Sequence, residues 1–182
     1  DLLEEALVEQ AGGRAALDAL DDEPLPDIPF DWDRVDPALH DAAAAAVALV
    51  DEWSAAHLDL EVRTIARAVL VAVLEVDPGL VRRSTRADTL AAGLLWYLMT
   101  RLTGPLDRQA RSPESWAVFT QKELAAATGV SASGISTRAT TIGNAVERAD
   151  IDWPRLLHSR QRRQMIEVRD ALAHWRQDPP EG

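Results

Sequence analysis

The stretch from Thr120 to Ile142 constrains the fold more than any other part of this chain, because it reads as two short helices meeting at a glycine corner. Thr120 stands where a helix start needs a capping hydroxyl, and Glu123, three residues on, can reach back to it, which is the capping-box signature. Leu124 and Ala125 then face inward. Gly129 falls where the chain must turn through a positive φ, Val130 plugs the gap between the helices, and Ser131 caps the second one. Ile135 and Ile142 continue the buried stripe. The pattern predicts a helix-turn-helix over residues 120–142.

The remaining sequence is helical as well, with no strand-like alternation of useful length. Leu2 to Leu20 has helical spacing broken by Gly12 and Gly13, which predicts two short or frayed helical pieces. Three prolines and several carboxylates between Asp21 and Trp32 predict an extended linker, pinned to the body by Phe30 and Trp32. Asp36-Pro37 caps a helix expected to reach His57, and Asp59 caps another in which Val62, Ile65, Val69, Val73 and Val76 recur at helical spacing. A third begins near Arg86. Its centre, Thr89 to Met99, is apolar nearly all round, and Ala91, Ala92 and Gly93 let a neighbouring helix approach closely; Gly104 and Pro105 end it. Leu106 to Val118 reads as a loop with one helical turn after Ser112-Pro113 and Trp116 as a lid on the core. Asp152-Trp153-Pro154 announces a last, arginine-rich helix to about Gln177, and Pro179 and Pro180 close the chain.

With 47% of its residues hydrophobic, the chain can bury a core without metal or disulfide staples, and it has no cysteine. Its longest apolar runs, Ala42 to Val50 and Ala68 to Leu74, fall far short of the roughly 18–20 residues a membrane span needs. Cytoplasmic placement without a membrane partner is the expectation. The net charge of −11 argues against a nucleic-acid partner, but it is unevenly spread. Residues 1–60 hold sixteen acidic side chains and two arginines, whereas residues 61–182 hold fourteen acidic and seventeen basic ones. Such an acidic arm is either a solvated tail or a cover over a basic face that DNA displaces.

Thr120, Gln121, Glu123, Leu124, Ala125, Gly129, Val130, Ser131, Ile135 and Arg138, at the end of a five-helix order with an alanine-rich third helix, resemble a cyclin box of the kind found in transcription factor B of archaea and eukaryotes. The likeness spans roughly Leu39 to Val146. It implies an all-α domain: a five-helix cyclin-like bundle around a central third helix, here with an N-terminal acidic arm and an extra C-terminal helix. The corresponding division is 1–35 for the acidic arm and linker, 36–148 for the cyclin-like domain with its helix-turn-helix, and 149–182 for the basic helix and tail. That family carries two boxes and a zinc ribbon, whereas this chain has one box and no cysteine, so the ribbon's role does not transfer. The family's fifth helix implies entry into the DNA major groove.

The first functional expectation is a DNA-binding transcriptional regulator or accessory factor that uses this helix-turn-helix on double-stranded DNA. The readers are then Ser131, Ser133, Ser136, Thr137, Arg138 and Thr140, with Gln121 and Lys122 beside them and Arg160, Arg162 and Arg163 holding phosphates. The set is thin, since specific readout favours Arg or Lys on guanine and Asn or Gln on adenine. Gly134 and the hydroxyls suit close approach to phosphate or packing on another helix equally. The alternative is a protein-interaction module in which the motif is structural and the partner is another protein or a second copy, a homodimer. The arginines would then be a solvated face paired with Glu167 and Asp170. Catalysis is not expected: His40, His57, His158 and His174 lack metal-ligand spacing, and no phosphate loop or nucleophile motif follows a strand. No cofactor or metal is implied.

Overall fold

A computed structural model describes residues 2–82, 86–102 and 120–177, and every regular element among them is helical. The helices are α1 (Leu2–Ala11), α2 (Arg14–Asp18), α3 (His40–His57), α4 (Leu60–Val76), α5 (Gly79–Arg82), α6 (Ala87–Leu102), α7 (Gln121–Thr128), α8 (Ala132–Val146) and α9 (Ser159–Gln177), with 3₁₀ turns at Trp32–Arg34, Pro37–Leu39 and Trp153–Leu156. The expected loop over Leu106 to Val118, its lid Trp116, the stop at Gly104-Pro105 and the closing prolines lie outside the described residues. Among the described residues, no helix is long and apolar enough to cross a membrane. The chain divides into two compact units, Pro26–Ile151 and a second made of Asp1–Leu25 with Asp152–Gly182.

In the Pro26–Ile151 unit the carboxylate caps work as their spacing requires. Asp59 accepts the Val62 N–H at 2.9 Å and starts α4. Asp36 accepts the Ala38 N–H, but the proline step forms a tight 3₁₀ turn first, so α3 begins at His40 rather than at Pro37. Between Val69 and Leu74 every side chain of α4 is buried, as an all-round apolar run demands. Helix α6 packs against α3, α4, α5, α7 and α8, and buries Leu90, Leu94, Leu95 and Leu98 almost completely. Each such leucine stabilises the fold by about 1.5–3 kcal/mol relative to exposure.

The proline-rich linker is tied down at its second half. Thr64 Oγ1 donates to the Pro26 carbonyl at 2.8 Å and accepts the Ile28 N–H at 3.2 Å. Arg67 grips Asp51 with two nitrogens and also donates to Asp27 and the Ile28 carbonyl. Phe30 is buried, its ring 4.5 Å from Trp32, which meets His40 edge-on. The two aromatics pin the linker, as their isolation in a polar stretch predicts.

The other unit folds the N-terminal segment onto the last helix. Gly12 and Gly13, at φ of +84° and +130°, separate α1 from α2. Leu7, Ala11 and Leu17 then pack with Leu157 and Met165 in one small core. Residues 2–20 are therefore not a solvated tail, because α9 offers an apolar face that their own helical stripe fits. The last helix also starts later than Asp152 suggests. Pro154 sits in a 3₁₀ turn, Leu157 is extended, and His158 caps α9: its Nδ1 accepts the Arg160 N–H at 3.1 Å while Gln161 Oε1 accepts the His158 N–H.

Candidate functional site

The corner at Gly129 is built by local hydrogen bonds. Thr120 Oγ1 accepts the Glu123 N–H at 3.2 Å, and Glu123 Oε2 accepts the Thr120 N–H at 2.6 Å. That N–H, together with the Thr120 side chain, holds the Glu123 carboxyl below its ordinary range. Thr128 donates to the Leu124 carbonyl, Gly129 turns at φ +70° with its N–H on the Ala125 carbonyl, and Ser131 Oγ accepts the Gly134 N–H at 3.1 Å. Leu124, Val130 and Ile135 are buried beneath the corner.

Helices α6 and α8 run parallel, because their contacts advance together: Thr89 lies near Gly134, Gly93 under Arg138 and Tyr97 against Gly143. The approach is close. A Cβ added at Gly93 would stand 2.5 Å from Arg138 Cγ and 3.2 Å from the Ala139 nitrogen. Gly134 is half-buried beside its own capping Ser131 and Val130, with Thr89 of α6 3.9 Å from the position a Cβ would take.

This arrangement sorts the candidate residues. Ser131, Ser133, Ser136, Thr137 and Thr140 are exposed along the outward face of α8, and Thr140 Oγ1 returns its proton to the Ser136 carbonyl. Lys122 is exposed on α7. Gln121 is half-buried, and its side-chain nitrogen bridges the two helices by donating to the Ala132 carbonyl at 2.8 Å and to Ser136 Oγ. Arg138 is half-buried with its stem laid over Gly93. Arg160, Arg162 and Arg163 belong to the other unit. There Arg162, whose side chain is 12% exposed, pairs with Asp21 at 2.7 Å and also donates to the Glu23 carbonyl, while Arg163 pairs with Asp22 at 2.9 Å. The acidic linker thus supplies partners to Arg162 and Arg163, while Asp170 pairs with Arg169.

Between α6 and α8 runs a groove of about 370 Å³. Trp96 and Tyr97, both half-buried, supply its aromatic floor, and Thr100, Ser136, Thr140 and Asn144 its polar rim, with Glu147 at one end. Sequence reasoning placed Trp96 and Tyr97 in an all-round apolar helix and missed that one flank stays open. The signal that points to it is the polar series Ser136, Thr140 and Asn144 at four-residue spacing, which marks the edge of α8 beside that flank. Chemically the groove offers stacking faces, hydroxyl and amide donors and acceptors, and one carboxylate. In comparisons with protein-family models, curated proteins and solved structures, none matches this chain.

Proposed function

We propose that the Pro26–Ile151 unit is a protein-interaction module, a cyclin-like bundle round α6 whose helix-turn-helix is structural and whose α6–α8 groove receives a segment of a partner protein. The observation that carries this reading is the groove itself: two half-exposed aromatics framed by hydroxyls and an amide, with a single carboxylate, Glu147, at one end. Aromatic floors of this kind anchor protein partners at low entropic cost. The packing of α6 against α3, α4, α7 and α8 supports the cyclin-like arrangement. A double-helical DNA partner needs cations on the outward face of α8. Between Ser131 and Asn144 the sole charged side chain is Arg138, whose stem packs inward, and Gln121 spends its amide within the motif.

Peptides selected from a displayed random library against the full chain, followed by NMR shift mapping, test the reading. The expected shifts cluster at the Trp96 indole, Tyr97, Thr140 and Asn144, and Thr140→Trp, which fills the groove, abolishes them. The proposal fails if the selected peptides map elsewhere. It fails equally if mixed duplex DNA at low salt shifts Ser133 and Thr137, which lie off the groove, and Lys122→Ala or Arg138→Ala abolishes those shifts.

A further inference from the structure

Helix α9 has two apolar flanks, and the small core uses one of them. Met165, with the partly buried Val168 and Leu172, packs on Leu7, Ala11 and Leu17. The neighbouring flank is open: Ala171 and Trp175, with Leu3 from α1 and the uncovered side of the half-buried Val168, shape an almost wholly apolar groove of about 550 Å³. Trp175 is 58% exposed and Leu3 50%. Glu167 and His174 stand on its rim, and both are exposed. Exposed apolar side chains bounded by polar groups are the form an association site takes.

We propose that this flank of α9 pairs with the same flank of a second copy of the chain, antiparallel about Ala171. The placement of charge selects that occupant. Glu167 lies four residues before Ala171 and His174 three after it, on one stripe, so at 1.5 Å per residue they sit about 6 Å and 4.5 Å on opposite sides of the crossing point. A two-fold axis through that point therefore brings each Glu167 carboxylate to the imidazole of the second copy's His174. On the other edge of the contact the same operation brings Val168 to the second copy's Trp175. Donor meets acceptor and aliphatic meets aromatic, twice each, which is the self-complementarity an isologous dimer requires. Ala171 at the crossing lets the two helices approach closely. The adjacent charges are already used inside one copy, Arg176 on Glu4 and Arg169 on Asp170, so they do not compete for the contact. An acidic or a basic partner helix would satisfy only one of the two rim groups.

One helix flank buries less than the roughly 1,200–2,000 Å² of a standard interface, so the dimer is a weak one. Sedimentation equilibrium of the full chain at about 0.15 M salt, where repulsion between two acidic copies is screened, measures it. The expected result is a concentration-dependent monomer–dimer equilibrium that Trp175→Lys weakens by at least about tenfold. Glu167→Lys and His174→Glu each weaken it as well. Combining the two substitutions in one chain restores dimerisation, and an equimolar mixture of the two single variants forms a heterodimer better than either forms a homodimer. All three sites are exposed, so circular dichroism verifies that each variant folds. A wild-type chain that stays monomeric to about 0.5 mM overturns the proposal. Failure of the reciprocal charge swap to restore association overturns it equally. Trp96 and Thr140 variants leave this equilibrium unchanged, which separates it from the groove reading.

Discussion

Replacing Gly93 with alanine probes the seam on which the α6–α8 groove depends. The new Cβ would meet Arg138 Cγ at 2.5 Å, Arg138 Cβ at 2.7 Å and the Ala139 nitrogen at 3.2 Å. Carbon–carbon contacts settle near 3.5–4.0 Å, so α8 must retreat by about 1 Å along this part of the seam. Arg138 Cγ can swing aside about χ1, but Arg138 Cβ and the Ala139 nitrogen are fixed to the backbone of α8 and cannot. Overpacking of this sort costs about 1–3 kcal/mol, and alanine's better helix propensity offsets about 1 kcal/mol of it. With the clash unable to relax, we expect a net loss of about 1–2 kcal/mol, or a fall of about 3–8 °C in Tm. Gly143→Ala is the matched control. Its Cβ would lie 3.4 Å from Tyr97 Cε2, near ordinary contact, so propensity dominates and stability is unchanged or rises by up to about 1 kcal/mol. Urea denaturation followed by circular dichroism measures both, with amide exchange across α6 and α8 assigning the change to this unit. In an Arg138→Gly background the cost of Gly93→Ala shrinks, because the stem it strikes is gone. Gly93→Ala melting at or above the wild type would refute the close parallel contact between α6 and α8.

Thr120→Ala removes the hydroxyl that accepts the Glu123 N–H, and the same denaturation assay should show a loss of about 1 kcal/mol; no loss would mean that α7 does not depend on its capping box. In the other unit, hydrogen bonds from Arg176 and then Arg14 hold the Glu4 carboxyl down at about 2, against an ordinary value of 4.5. A depressed folded value stabilises the charged form, so the contribution is complete above pH 4.5 and fades as pH falls through the window from 4.5 to about 2. Melting of wild type and Glu4→Gln should therefore differ at pH 6 and converge near pH 2, and a difference that is independent of pH would reject the pairing.

The helix-turn-helix was legible because every device that makes it is local. A capping box spans three residues, a left-handed corner needs one glycine, and a serine cap serves its own helix, so Thr120, Gly129 and Ser131 act in the structure as their spacing predicts. The all-helical class among the described residues followed from periodicity in the same way. The fate of each polar group was not legible. Gln121 has the look of a surface donor, yet its amide bridges two helices; Arg162 has the look of a phosphate ligand, yet it is nearly covered by Asp21 and the Glu23 carbonyl. Those partners lie 11 to 15 and about 140 residues away in the chain, and no spacing rule reaches that far.

By itself, then, the sequence determined the helical class, the caps at Asp59, Thr120 and Ser131 and the corner at Gly129, since those rest on interactions within a few residues. The Asp-Pro and Asp-Trp-Pro starts, by contrast, became 3₁₀ turns and delayed α3 to His40 and α9 to Ser159. Tertiary structure alone decided that residues 2–20 fold onto α9 instead of trailing as an acidic tail, and that Trp96 and Tyr97 border an open groove instead of a sealed core. The physical reason is the same in both cases. Apolar periodicity shows which face of a helix seeks cover, but only the packing of distant elements shows whether that cover is supplied by the chain or left to a partner.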